Sequence, residues 1–297
     1  MIVVRGPSDE TGFSDSLARS LDAELVGVEH KLFPDGESYV RIPADLGGET
    51  VIIVQPAHYP QDKHLLELML LADAARGAGA SKVVGVAPYL AYTRQDKVFR
   101  PGEPVSIRAV LRALHAAGVE VLATVEPHSR GELGHFPGKA LGVGVMRFMA
   151  SQLAPRLRDP LVLSPDLGGV GRAREFAEAL GADFDYLEKR RDRVTGEVSV
   201  RPKTLDASGR EVVIVDDIIS TGGTMALAAR LLLEQGAKRV VAVCVHALLV
   251  GGAYAKLKSA GIEEVVAANT LPVPPGVEQI DVAPPVAEAL REALGSG

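Results

Sequence analysis

The sequence holds a single cysteine, Cys244, in 297 residues. That scarcity excludes an intrachain disulfide and any zinc site assembled from several thiolates. Cys244 lies inside the run Val240-Val241-Ala242-Val243-Cys244-Val245 and reads as a core side chain, not a nucleophile. Long apolar runs are missing as well. The longest, such as residues 212–215 and 240–245, fall far short of the roughly 18 residues a membrane span requires, so a soluble protein without membrane contact is expected. The opening Met1-Ile2-Val3-Val4-Arg5-Gly6-Pro7 lacks the apolar core and small-residue cleavage site of a secretory signal, and a cytoplasmic location is the default expectation. Nor is there an excess of basic residues. A net charge of -6 argues against a general nucleic-acid binder, so any phosphate site has to be local.

What is present is ordinary globular composition, 47% hydrophobic and 24% charged, in a chain longer than the roughly 100 to 200 residues of one domain. Two domains are the first expectation and one large domain the alternative. Short β-branched runs alternate with helix-length amphipathic stretches, which predicts an α/β fold with mostly parallel sheets flanked by helices. In the first half, strands are expected at 51–54, 83–87 and 119–125, with helices at 63–78 and 105–117. The second half repeats the rhythm with strands at 161–164, 212–215 and 240–245 and helices at 170–180 and 224–235. A last helix, 286–294, follows Pro284-Pro285. Gly79-Ala80-Ser81-Lys82-Val83-Val84-Gly85-Val86 aligns without a gap on Gly236-Ala237-Lys238-Arg239-Val240-Val241-Ala242-Val243, and Val51-Ile52-Ile53-Val54 parallels Val212-Val213-Ile214-Val215. The inference is a duplicated domain; the plainer alternative is that any helix-to-strand junction favours a glycine cap followed by valines. The expected division is 1–142, 143–282 and a tail helix at 283–297, with the seam in the glycine-rich stretch 138–144.

The most informative segment for chemistry is Val212-Val213-Ile214-Val215-Asp216-Asp217-Ile218-Ile219-Ser220-Thr221-Gly222-Gly223-Thr224. A buried strand ends in two carboxylates, and a small-residue turn then opens a helix. In an open α/β sheet, ligands collect at the carboxyl ends of strands, where helix N-termini aim backbone N–H groups at an anion. Gly222 and Gly223 allow close backbone approach. Ser220, Thr221 and Thr224 offer hydroxyl donors to a phosphate, while Asp216 and Asp217 suit sugar hydroxyls or water on a divalent cation. The bland alternative is a capped helix with solvated acids. The pattern resembles the loop with which phosphoribosyltransferase-like proteins grip a ribose 5-phosphate.

Five further segments narrow the reading: Phe33-Pro34-Asp35-Gly36-Glu37; the cationic stretch 92–104 with Arg94, Gln95, Lys97 and Arg100; Glu126-Pro127-His128-Ser129; Ser164-Pro165-Asp166-Leu167-Gly168-Gly169; and Leu187-Glu188-Lys189-Arg190-Arg191. Taken singly, these read as a turn, a solvated loop, a structural histidine, an acid-capped βα turn and surface charge. In order and spacing, from Phe33 onward, they resemble the ribose-phosphate pyrophosphokinase family. The resemblance implies two duplicated phosphoribosyltransferase-like domains, the first serving ATP and the second ribose 5-phosphate. It implies that Phe33, Asp35, Gly36 and Glu37 contact the adenine of ATP in a neighbouring subunit, hence a homo-oligomer with shared sites. Arg94 and Gln95 would bind ATP, and Lys97 and Arg100 would close over the triphosphate. Mg2+ would be held through His128 and Asp166; the family usually has Asp where Glu126 stands. Lys189 and Arg191 would be the catalytic cations, with Arg190 pointing away as strand alternation predicts. Ser220 replaces the acid that usually opens the family's phosphate loop.

Overall fold

A computed structural model describes residues 1–128, 131–191, 198–202 and 206–295, the side chains of 188–191 and 198–202 excepted. The chain divides into two compact units, one of residues 1–144, 270–272 and 281–297, the other of residues 145–269 and 273–280. The first runs β1 (Ile2–Arg5), α1 (Phe13–Leu21), β2 (Glu24–Gly27), β3 (Glu29–Leu32), β4 (Ser38–Arg41), β5 (Thr50–Val54), α2 (Gln61–Gly77), β6 (Lys82–Ala87), α3 (Ser106–Ala116), β7 (Val121–Val125) and β8 (Lys139–Val143). Its sheet has the order β2-β1-β5-β6-β7-β8 with every pairing parallel, while β3 and β4 form a separate antiparallel hairpin. Strands β5 and β7 are apolar and buried almost throughout, as a parallel sheet covered on both faces requires. Helix α2 buries Leu65, Leu68, Leu71, Ala72 and Ala75, and that spacing of three and four keeps one stripe on the sheet.

The second unit repeats the plan with α4 (Met146–Leu153), β9 (Pro160–Ser164), α5 (Val170–Leu180), β10 (Asp183–Arg191), β11 (Val198–Pro202), β12 (Glu211–Ile219), α6 (Gly223–Glu234), β13 (Arg239–Ala247), α7 (Ala253–Ser259), β14 (Glu264–Ala268) and β15 (Val277–Ile280). Here the order is β11-β10-β9-β12-β13-β14-β15, parallel except for β11. The chain then returns to the first unit as α8 (Ala283–Gly295), which packs on α1 and on β7 and β8. In both sheets the first strand is followed by a helix and a strand on one side, and the later strands wind the other way. Right-handed crossovers therefore put helices on opposite faces and leave a switch point between β1 and β5, and another between β9 and β12.

The duplication extends to individual hydrogen bonds. Val51 pairs with Val83 and Val54 with Val86, and the same register joins Val212 to Val240 and Val215 to Val243. Gly48 N donates to Gly79 O at 2.9 Å, and Gly209 N donates to Gly236 O at 2.8 Å. A generic helix cap would explain the left-handed backbone of Gly79 and Gly236, but not this repeated bond from a turn more than 25 residues away.

Most of the stretch 138–144, expected to hold the seam, is the edge strand β8, paired with β7 from Val121↔Lys139 to Val125↔Val143, and the first unit's main segment ends at Gly144. Its glycines answer to packing: a Cβ on Gly138 would sit 2.3 Å from the Glu120 carbonyl oxygen, and one on Gly142 would sit 3.0 Å from Pro127 Cγ. Strand β12 also continues past Val215 to Ile219, because β13 is long enough to pair with it as far as Ala247. Asp216 and Asp217 therefore lie within the ladder, not beyond it. Phe176 on α5 is fully buried. Its truncation in Phe176→Ala should cost about 3 to 5 kcal/mol, seen in urea as an earlier unfolding transition.

Candidate active site

The crevice at the β9–β12 switch point is built from two strand-to-helix turns. Ser164 ends β9, and its Oγ donates to the Asp166 carbonyl at 2.6 Å; Asp166 Oδ1 in turn accepts from Gly168 N at 2.8 Å and Gly169 N at 3.3 Å. A Cβ on Gly169 would meet Ser164 Oγ at 2.6 Å and Asp216 Oδ1 at 3.7 Å, so a glycine is needed for the two turns to close on each other. Across the crevice, Asp216 Oδ1 accepts from Asp217 N at 2.9 Å and Asp217 Oδ1 from Ile218 N at 3.0 Å. Gly222, with φ of 67°, makes the left-handed step that starts α6, and Lys256 Nζ on α7 donates to the Thr221 carbonyl at 3.0 Å. The turn encloses a cavity of about 170 Å³ lined by Pro165, Asp216 and residues 218–225. With about 30 Å³ per water, it holds a handful of waters, the size of a phosphate subsite and not of a nucleotide.

Charge is arranged around these turns. Burial first, and then Asp217 beside it, push the Asp216 carboxyl far above its ordinary range, with Asp166 adding to the effect. Arg172 Nη2 lies 3.3 Å from Asp217 Oδ2. This arginine was missed in the sequence reading, yet a signal existed. It is a cation in the first turn of α5, where the helix dipole favours anions, and a nearby carboxylate offsets that placement. Tyr186 of β10 pairs with Ser164 of β9, so β10 runs on past the end of its neighbour. Positions 189 and 191 thus extend about 10 Å or more beyond Ser164 at the carboxyl edge. The side chains of Lys189 and Arg191 lie outside the described residues.

The second unit therefore brings together Asp166, Asp216, Asp217 and Ser220, Thr221, Gly222, Gly223 and Thr224, with the β10 end on the same edge. The remaining candidates lie in the first unit. Phe33, Asp35, Gly36 and Glu37 form the tip of the β3–β4 hairpin, closed by Phe33 N to Glu37 O at 2.8 Å and by Gly36 in a left-handed turn. Arg94, Gln95, Lys97 and Arg100 occupy the loop between β6 and α3, where Arg94, Lys97 and Arg100 are exposed. Ser106 Oγ donates to Gln95 Oε1 at 2.9 Å, and Phe99 N and Arg100 N both donate to Glu103 Oε2 at 2.9 Å. His128 is exposed just past β7, and Glu126 before it is buried with φ of 39°; Ser129 lies outside the described residues. Among the described residues, no group of three or more His, Cys, Asp and Glu is arranged to hold a metal ion.

The corresponding switch point of the first unit is filled by its own side chains. Gln55 is fully buried there, and its Oε1 accepts from Ser8 N at 3.2 Å, while Ser8 Oγ donates to the Pro56 carbonyl at 2.7 Å. Where the second unit has Asp216 and the small-residue turn, the first has Gln55 and then Pro56 and Pro60.

A parallel sheet whose switch point is lined by an acid pair and a small-residue turn fits the phosphoribosyltransferase fold, and residues 136–279 match the family model of the phosphoribosyl transferase domain. Residues 1–118 match the model of the N-terminal domain of ribose phosphate pyrophosphokinase. The ribose-phosphate pyrophosphokinase of Saccharolobus solfataricus is 45% identical over 273 residues, 92% of this chain and 94% of that one. That of Methanopyrus kandleri is 45% identical over 297 residues, 99% of this chain and 100% of that one. The phosphoribosylpyrophosphate synthetase from Mycobacterium smegmatis superposes with a TM-score of 0.86 at 30% identity, covering 100% of this chain and 99% of that one. This chain belongs to the ribose-phosphate pyrophosphokinase family and is an enzyme of that class. Among the described residues, no helix is long and apolar enough to cross a membrane.

The raised Asp216 carboxyl has a consequence for stability. A group whose folded pKa lies above its unfolded value of 3.8 binds its proton more tightly when folded, so the fold loses stability as pH rises above about 4. Asp216→Asn removes that loss while keeping an oxygen for the Asp217 N–H. The ligand-free variant should melt a few degrees above wild type near pH 7, with the gap closing toward about pH 4; a gap that does not depend on pH contradicts the assignment.

Proposed function

We propose that this chain transfers the terminal pyrophosphate of MgATP to the C1 hydroxyl of ribose 5-phosphate, giving phosphoribosyl pyrophosphate and AMP, as a cytoplasmic homo-oligomer whose ATP sites are shared between subunits. The observation that carries the reading is the convergence, at one switch point, of a phosphate-sized cavity with two carboxylates suited to the hydroxyls of a sugar. Residues 220–224 hold the 5-phosphate through backbone N–H groups and hydroxyls at the N-terminus of α6. Asp216 and Asp217 accept from the ribose hydroxyls, and Arg172 pairs with Asp217.

The anomeric oxygen attacks the β-phosphorus in line, and the bond from that phosphorus to the oxygen shared with the α-phosphate breaks as AMP leaves. The attacking hydroxyl is acidic for an alcohol, so the chief tasks of the protein are positioning and offsetting negative charge. Lys189 and Arg191, at the β10 end, and Arg94 stabilise the charge that develops on the transferred phosphoryl and on AMP. Phe33, Asp35, Gly36 and Glu37 contact the adenine across a subunit boundary. Arg94 and Gln95 bind ATP, and Lys97 and Arg100 close over the triphosphate and exclude water. Asp166 is exposed to solvent and offers carboxylate oxygen, the donor type a hard cation takes, and Mg2+ characteristically completes its shell with water and substrate oxygens. Asp166 and His128 are the residues that would hold it, and when bound it supplies positive charge to the phosphate oxygens.

The pure protein, incubated with ribose 5-phosphate and MgATP, should release AMP; a phosphoribosyltransferase would release none and would instead consume phosphoribosyl pyrophosphate in the presence of a base. Lys189→Ala should lower turnover by about 100- to 1,000-fold with an unchanged circular dichroism spectrum, and an unaltered rate would refute the role.

A further inference from the structure

The β3–β4 hairpin shares no ladder of backbone hydrogen bonds with either large sheet, so its placement depends on side chains. Its register sorts them. His30 and Val40 with Leu32 and Ser38 share one face, and Lys31 and Tyr39 with Glu29 and Arg41 share the other. On the second face, Lys31 Nζ lies 5.0 Å from the Tyr39 ring centre and 5.3 Å from that of Phe33. Those two rings meet edge-on at 6.2 Å, which fixes Phe33 at the tip while 42% of it stays exposed.

The first face meets α2 at Glu67, a carboxylate with 0% exposure. Its Oε1 accepts from Ser38 Oγ at 2.7 Å and His30 Nε2 at 2.9 Å, and its Oε2 from Gln55 Nε2 at 3.0 Å. Lys63 Nζ is 3.5 Å away. A carboxylate only accepts, so the His30 proton sits on Nε2. Four donors satisfy a charge that would otherwise be very costly to bury. Mere packing of α2 on β5 would be served as well by an apolar side chain, and buried ionic groups of this kind fix geometry more than they add stability. Two of the four partners come from the hairpin, and Gln55 ties the same carboxylate to the end of β5. Five residues earlier on α2, Asp62 accepts a hydrogen bond from the hydroxyl of Tyr92, where the 92–104 loop begins with Tyr92 at φ of 68°. One helix thus tethers both loops assigned to the nucleotide.

We infer that Glu67 is a positioning residue for the nucleotide: through His30 and Ser38 it sets where the hairpin presents residues 33–37. The inference rests on the reading above that this tip contacts the base of ATP. The double variant His30→Ala/Ser38→Ala removes the hairpin's hold while leaving Glu67 bonded to Gln55 and near Lys63. Its KM for MgATP should rise about tenfold, the equivalent of one charge-assisted hydrogen bond, with the KM for ribose 5-phosphate within about twofold of wild type. Ser38→Thr, which keeps the hydroxyl, should stay near wild type. In hydrogen–deuterium exchange, amides 29–41 of the double variant should exchange faster while 50–54 and 82–87 stay protected. Both KM values rising together, or neither rising, would overturn the inference, as would unchanged exchange at 29–41. Should the wild type itself release no AMP, the proposed reaction fails, and the exchange measurement still decides whether Glu67 anchors the hairpin.

Discussion

Two carboxylates held side by side in a buried ladder are the constraint around which the second unit is organised. Asp216 and Asp217 take up backbone N–H groups of their own strand, and Arg172 comes from the facing helix to meet Asp217. Burial of Asp216 favours its protonated form, which costs stability at neutral pH. In the reaction proposed above, a hydroxylated sugar or a cation carried by a polyphosphate would meet this pair. The small-residue turn that follows belongs to the same logic, since a phosphate held by backbone N–H groups at a helix start needs no further cation from that turn.

The two units show how one topology serves two tasks. Their strand orders, crossover pattern and even the hydrogen bonds of Gly48 and Gly209 correspond, yet the two switch points carry different side chains. In the first unit, Gln55 fills its own crevice and gives its amide to Glu67. What that unit presents instead is carried outside the sheet, on a hairpin and a long loop tied to α2. At matching positions of the repeat, one copy carries the acid Asp216 and a small-residue turn, and the other carries the neutral Gln55 followed by Pro56 and Pro60.

Much of this was legible in the residue order. Parallel strands buried on both faces leave continuous β-branched runs, and β5, β6, β12 and β13 were visible for that reason. The double acid, the glycines and the hydroxyls of 216–224 were visible because phosphate chemistry demands those types in that order. Strand β8 was not, since Gly138 and Gly142 interrupt any apolar period while admitting the Glu120 carbonyl and Pro127 at close range. The β3–β4 strands were hidden because both are short and neither has a buried position, so no apolar alternation marks them. Arg172 and Glu67 escaped for a common reason: the first owes its meaning to a partner 45 residues away and the second to hairpin partners 29 and 37 residues away, and neither type is unusual on a helix.

The sequence by itself determined the class of fold and the duplication, and marked the small-residue turn after the double acid, because each depends on local pattern: apolar period, glycine placement and the chemistry of neighbouring side chains. Tertiary structure alone decided what fills the first unit's switch point, which cation meets Asp217 and what holds the hairpin in place. Those outcomes depend on groups brought together from distant parts of the chain, where charge and burial act through distance in space and residue order carries no record of it.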